Sequence, residues 1–137
     1  MSFKEKIAWI SVVTTILVWG AYFWFVVASA RWPGPVYTVG FTGAVVVQTI
    51  LMIVASVATA VMAPKEASAA SDERDKAIGR RAYAIAYPVL LGLIVCVAAS
   101  VHLGARPWDL VNGMMGAIVI AEIVHYAAQI AGYRRGY

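Results

Sequence analysis

The chain has little of what soluble proteins use for chemistry. Its 137 residues hold one cysteine, Cys96, and two histidines, His102 and His125. A single thiol forms no internal disulfide, no CxxC redox pair and no zinc cage, so Cys96 reads as a small apolar filler. The same count excludes a four-helix disulfide-generating membrane enzyme, which needs cysteine pairs. Charge is scarce as well. Charged residues make up 13% of the chain, against about 25% in a soluble domain. No established catalytic motif is present, and the reading is non-enzymatic.

What fills the chain is apolar sequence. It is 62% hydrophobic, with a mean hydropathy of +0.78. Four runs carry this, Ile7–Ala30, Tyr37–Met62, Ala82–Gly104 and Leu110–Tyr133, each about 23 to 26 residues long. A helix needs about 20 residues to cross a hydrocarbon core ~30 Å thick. The runs predict an all-α fold, a four-helix transmembrane bundle forming one integral membrane domain over residues 1–137. The first run is too long for the core of a signal peptide, so it is expected to be a retained span.

Lysine and arginine set the orientation. Lys4, Lys6, Lys65, Arg74, Lys76, Arg80, Arg81, Arg134 and Arg135 fall on one side, and Arg31 and Arg106 on the other. Nine against two predicts both termini and the 63–81 loop in the cytoplasm of a bacterial inner membrane. The outer connections, Arg31-Trp32-Pro33-Gly34-Pro35 and Arg106-Pro107-Trp108-Asp109, are short. Short connections make sequential helices antiparallel neighbours, an up-down-up-down order. In the long loop, Glu66–Ala70 reads as a flexible linker. Ser71 or Asp72 then caps a helix whose first turn carries acids, where the helix dipole favours them. The third helix is therefore predicted to begin near Asp72 and to extend into the cytoplasm.

Ionisable residues inside the spans are functional candidates, because burying them is costly. They are Glu122, His125 and His102, with Gln48 and Gln129 as polar companions. At a rise of ~1.5 Å per residue, Glu122 and Gln48 both fall near mid-membrane, and His125 falls level with Tyr87. Glu122, His125 and Gln129 form one polar stripe on the fourth helix. Together with Gln48 and Tyr87 they make the candidate intramembrane site, either a proton or substrate site or a polar tie across the bundle. No cofactor is expected. By helix rise the two histidines lie on the order of 20 Å apart along the membrane normal, too far to ligate one haem iron from both faces.

Further features concern packing and docking. Trp19, Tyr22, Phe23, Trp24 and Phe25 thicken the first helix. Gly113, Ala117 and Ala121 make a small-residue stripe that lets another helix approach closely. At the cytoplasmic end, Asp72, Glu73 and Asp75 are expected to meet Arg134 and Arg135 and to present one ordered docking face. Arg80–Arg81 and Arg134–Arg135 suit anionic lipid, and no nucleic-acid partner is expected.

The stretches Asp72-Glu73-Arg74-Asp75-Lys76-Ala77-Ile78, Ala82-Tyr83-Ala84-Ile85-Ala86-Tyr87, Ala121-Glu122-Ile123-Val124-His125-Tyr126 and Tyr133-Arg134-Arg135-Gly136 resemble those of a family of small four-span bacterial inner-membrane proteins with no assigned activity. The resemblance covers nearly the whole chain. It implies the same four-span fold and no shared role for His125, where the family often has arginine.

Three function classes follow. The first is an accessory, regulatory or self-associating membrane subunit, a homo-oligomer or part of a larger complex in the lipid bilayer. The second is a small proton-coupled transporter using Glu122, which the strong charge bias disfavours because dual-orientation exporters need a weak one. The third is a protein that binds lipid, quinone or haem.

Overall fold

The four apolar runs become helices, and the helices outrun them. In the computed structural model, residues 3–28, 34–67 and 72–135 are described. They form α1 (Phe3–Ala28), α2 (Gly34–Met62), the single turn α3 (Pro64–Ala67), α4 (Glu73–Ala99) with a 3-10 turn (Ser100–Leu103), and α5 (Pro107–Arg135). Among the described residues four helices are long and apolar enough to cross a membrane: Phe3–Val26, Tyr37–Met62, Glu73–Leu103 and Pro107–Arg135. The chain is an all-α, multi-pass membrane protein.

The helix ends differ from the apolar runs for local reasons. Hydropathy marks the lipid-soluble part of a helix, not its backbone limits. Lys4, Glu5 and Lys6 are good helix formers and lie within α1, ahead of the apolar run. Proline is tolerated in a first turn, where its missing N–H has no intrahelical partner. Pro35 and Pro107 therefore open α2 and α5 instead of breaking them. Asp72 caps α4 as expected, accepting from the Asp75 amide at 2.7 Å. The helix then continues through Pro88. Its far end closes on Gly104, whose φ of 83° is left-handed and suits a residue without Cβ. Within the expected linker, residues up to Ala67 form a helical turn; Ser71 and the Arg31–Pro33 connection lie outside the described residues.

Contacts divide the chain into two units, Met1–Ala70 and Ser71–Tyr137. In the first, α1 packs on α2 as an antiparallel hairpin. Ser11 and Thr14 of α1 meet Met52, Thr15 meets Gln48, and Trp19 and Tyr22 meet Phe41. The buried stripe Ala8, Ser11, Thr15, Trp19, Tyr22 recurs at helical spacing. Trp19 and Tyr22 therefore pack inward, while Trp24 is 78% exposed. A Cβ at Gly40 would stand 3.0 Å from the Phe25 ring, so α1 and α2 come close there because glycine permits it.

In the second unit α4 and α5 form another antiparallel hairpin. Ile78, Ala82 and Ala86 of α4 and Ala117, Ala121, His125 and Ile130 of α5 are buried. The small-residue stripe thus has its partner in the same chain. Val97 fills the space above Gly113, where a Cβ would lie 3.1 Å from Val97 Cγ1. Small residues on both helices bring the backbones together, which is how helices associate where the surrounding solvent is itself apolar.

Candidate functional site

Each hairpin carries its own polar layer. In the first, three hydroxyls of α1 lie along the buried stripe. Ser11 and Thr14 donate to the carbonyls of Ile7 and Ile10, at 2.9 and 2.8 Å, which satisfies their hydrogens within the helix. Their oxygens remain acceptors. The Gln48 amide of α2 donates to Thr15 Oγ1 at 3.2 Å and reaches Thr14 Oγ1 at 3.5 Å. Gln48 is thus held by hydroxyls of α1. Its Oε1 is buried with no hydrogen-bond partner among the described residues.

In the second hairpin the polar layer centres on His125, which is 5% exposed. Gln129 lies one turn on, and its Nε2 stands 2.8 Å from His125 Nε2. With the amide nitrogen as donor, Nε2 accepts and the neutral ring carries its proton on Nδ1. Nδ1 is buried with no hydrogen-bond partner among the described residues. The ring lies against Tyr83 of α4, centroids 4.1 Å apart and planes tilted by 38°, with Tyr126 at 5.2 Å. Tyr83 occupies the place expected for Tyr87. One helical turn separates them, and both tyrosines are largely exposed on the hairpin, at 66% and 62%.

Of the candidate intramembrane site, then, His125 and Gln129 are brought together. Gln48 belongs to the first hairpin. Glu122 stands on the exposed side of α5, three residues before His125, and has no hydrogen-bond partner among the described residues. His102 is exposed in the 3-10 turn at the opposite end of the hairpin from the His125–Tyr83 contact, and Cys96 is exposed. Among the described residues no three His, Cys, Asp or Glu side chains converge to hold a metal ion. The residues missed from sequence are Tyr83, Ser11 and Met52. Tyr83 carried a usable signal, since it shares a helical face with Ala86, a small buried residue.

The start of α4 and the end of α5 do meet, and Tyr133 joins them. Its hydroxyl hydrogen-bonds the Asp75 carboxylate. Its carbonyl accepts from Arg74 Nη2 at 3.3 Å. Glu73 pairs with Lys76 at 2.7 Å along its own helix. Arg134 and Arg135 are exposed. At the other end, Asp109 accepts from the Arg106 amide at 3.0 Å and from its Nε at 3.1 Å, closing the start of α5.

The chain was compared with family models, with characterised proteins and with solved structures, and no match was found in any of the three.

Proposed function

We propose that this protein is a non-enzymatic integral membrane subunit that works by association, with copies of itself or within a larger membrane complex. The observation that carries this reading is Glu122. It sits near the middle of the 29-residue α5, exposed on its hairpin, and the hairpin gives it no partner. A charged group at mid-membrane costs about 2.5–3.5 kcal/mol even on the mild insertion scales. A carboxyl placed there is matched by a donor or acceptor from outside its hairpin, or it stays neutral. The two polar layers support the reading from the other side. Gln48 ties α2 to the hydroxyls of α1, while the His125–Gln129 bond lies within α5 and the His125 ring packs on Tyr83 of α4, so both layers are suited to holding hairpins in shape.

The test is the assembled mass of the full chain in mild detergent. The wild type is expected to run as a complex, by self-association or with a co-purifying protein, and Glu122→Ala to fall apart into monomers. Glu122→Gln, which keeps hydrogen bonding but not charge, is expected to retain association if the carboxyl is held neutral. A wild-type chain that is monomeric and alone would sink the proposal.

For topology, the nine-to-two distribution of lysine and arginine supports a bacterial inner-membrane protein with both termini inside. Reporter fusions at Ala69 and at Tyr137 are both expected to read as cytoplasmic. A periplasmic signal from either one overturns that orientation.

A further inference from the structure

Two exposed polar side chains of the second hairpin, Glu122 and Tyr87, stand on one flank and at one level. The contact between the His125 and Tyr83 rings sets the register of α5 against α4 and marks one edge of their seam. Glu122 lies three residues from His125, and Tyr87 four residues from Tyr83. Residues at those spacings are neighbours on a helix surface, so both groups belong to the flank beside that contact. Both steps lead toward the Gly104 turn, because α4 runs into the turn and α5 runs out of it. At ~1.5 Å per residue the steps cover about 4.5 Å and about 6 Å. Glu122 and Tyr87 therefore come to nearly the same depth.

Neither group is matched within the hairpin. Tyr87 is 62% exposed and Glu122 is exposed, and neither has a hydrogen-bond partner among the described residues. One turn nearer Gly104 stand Leu91 and Ile118, both exposed and apolar. The flank there is made for hydrocarbon, where no water answers a polar group. A carboxyl and a phenol are complementary in either protonation state. The phenol donates to a carboxylate, and a neutral acid donates to the phenol oxygen.

Identical chains inserted the same way round are related by an axis along the membrane normal. Such an axis turns a group about itself and keeps its depth, so a side chain meets only groups of its own level in the other copy. We propose that this flank is a self-association surface, on which a second copy docks with Glu122 of each chain bonded to Tyr87 of the other. The contact is isologous, one patch used twice. A carboxyl alone would call for a donor from any protein. A carboxyl with an unmatched phenol beside it at the same depth is complementary to itself, and that selects a second copy over a foreign chain. The inference rests on association through Glu122 and names the partner.

The experiment is co-expression of two differently tagged copies of the full chain, capture through one tag in mild detergent, and light scattering for the mass. Wild-type copies are expected to capture each other. Tyr87→Phe keeps the ring at an exposed position and is expected to weaken self-association roughly five- to tenfold, the loss of two hydrogen bonds of the size usual inside membranes. Glu122→Ala weakens it as well. A Glu122→Ala copy still offers Tyr87, and a Tyr87→Phe copy still offers Glu122. The mixed pair keeps one bond and leaves neither group unmatched, so each variant is expected to capture the other better than it captures itself. Circular dichroism in the same detergent checks folding, and Tyr87→Phe alone decides the matter if Glu122→Ala does not fold. A Tyr87→Phe chain that associates like the wild type, or a mixed pair no stronger than either variant with itself, would overturn the contact. Wild-type copies that capture a different protein and not each other would overturn the second-copy assignment and leave association through Glu122 standing. A wild-type chain that is monomeric and alone would overturn both.

Discussion

Ala121→Leu is expected to destabilise the α4–α5 hairpin by about 1–3 kcal/mol, the usual result of forcing extra methylenes into a packed contact. Ala121 is 7% exposed, and the facing helix presents Ala82 and Ala86, at 1% and 6%. Alanine has no side chain that can swing away, so added volume between these residues is relieved by moving a backbone. In lipid, separation is not opposed by any hydrophobic force, since acyl chains are as apolar as the side chains they replace. What holds α4 to α5 is close contact, and leucine removes it over more than one turn. Gly113→Ala tests the same interface more gently. Its Cβ would meet Val97 Cγ1 at 3.1 Å, and Val97→Ala should relieve it, so the double variant is expected to recover most of the loss. Ile120→Leu, one residue from Ala121 but exposed, is the control and should change nothing. Titration with SDS in mixed micelles, followed by near-ultraviolet circular dichroism, measures all four. An Ala121→Leu chain as resistant as the wild type would show that the small-residue contact does not hold the hairpin.

The same physics explains what was legible in the sequence. Spans announce themselves because every residue must be apolar, and the four long helices lie where the four runs put them. The α4 start was legible because Asp72 is a capping residue with acids behind it, a signal independent of the bilayer. Faces were harder to read. A soluble helix shows its buried side by hydrophobic contrast, but here Ile120 facing outward and Ile130 facing inward are the same residue type. Size carries the information instead. Gly113, Ala117 and Ala121 marked one interface through their spacing, while nothing comparable marked the inward face of α1, where Ser11 and Trp19 are both buried.

The polar residues show the difference between depth and direction. Helix rise puts Gln48 and Glu122 at nearly the same level. It could not give the angle around each helix axis. Gln48 is turned toward Thr15 within its own hairpin, and Glu122 is turned off the α4–α5 contact. His125 was placed level with Tyr87, one turn from Tyr83, which is the residue it touches. An error of one turn is what counting residues from an uncertain membrane boundary produces, since α5 begins at Pro107 and not at Leu110.

Gln129→Leu is expected to destabilise the second hairpin more than its single hydrogen bond suggests. Hydrogen bonds between side chains inside membrane proteins average only about 0.6 kcal/mol. Losing the partner of a buried polar atom costs more, about 1–3 kcal/mol, because the atom stays desolvated and unpaired. His125 already has Nδ1 buried with no hydrogen-bond partner among the described residues. Removing the Gln129 amide leaves both ring nitrogens in that condition. His125→Phe with Gln129→Leu removes the polar atoms together and keeps an aromatic ring against Tyr83, so the double variant is expected to match or exceed wild-type stability. The coupling between the two positions should therefore be clearly non-additive, within the 0.5–3 kcal/mol range of residues in contact. A neutral Gln129→Leu would mean that the ring finds another donor or acceptor, and the polar tie would be the wrong account of it. The double variant also separates packing from function. If it folds and resists SDS but no longer assembles, the imidazole does something for a partner that a phenyl ring does not. If it assembles normally, His125 and Gln129 serve the hairpin alone, and association depends on Glu122.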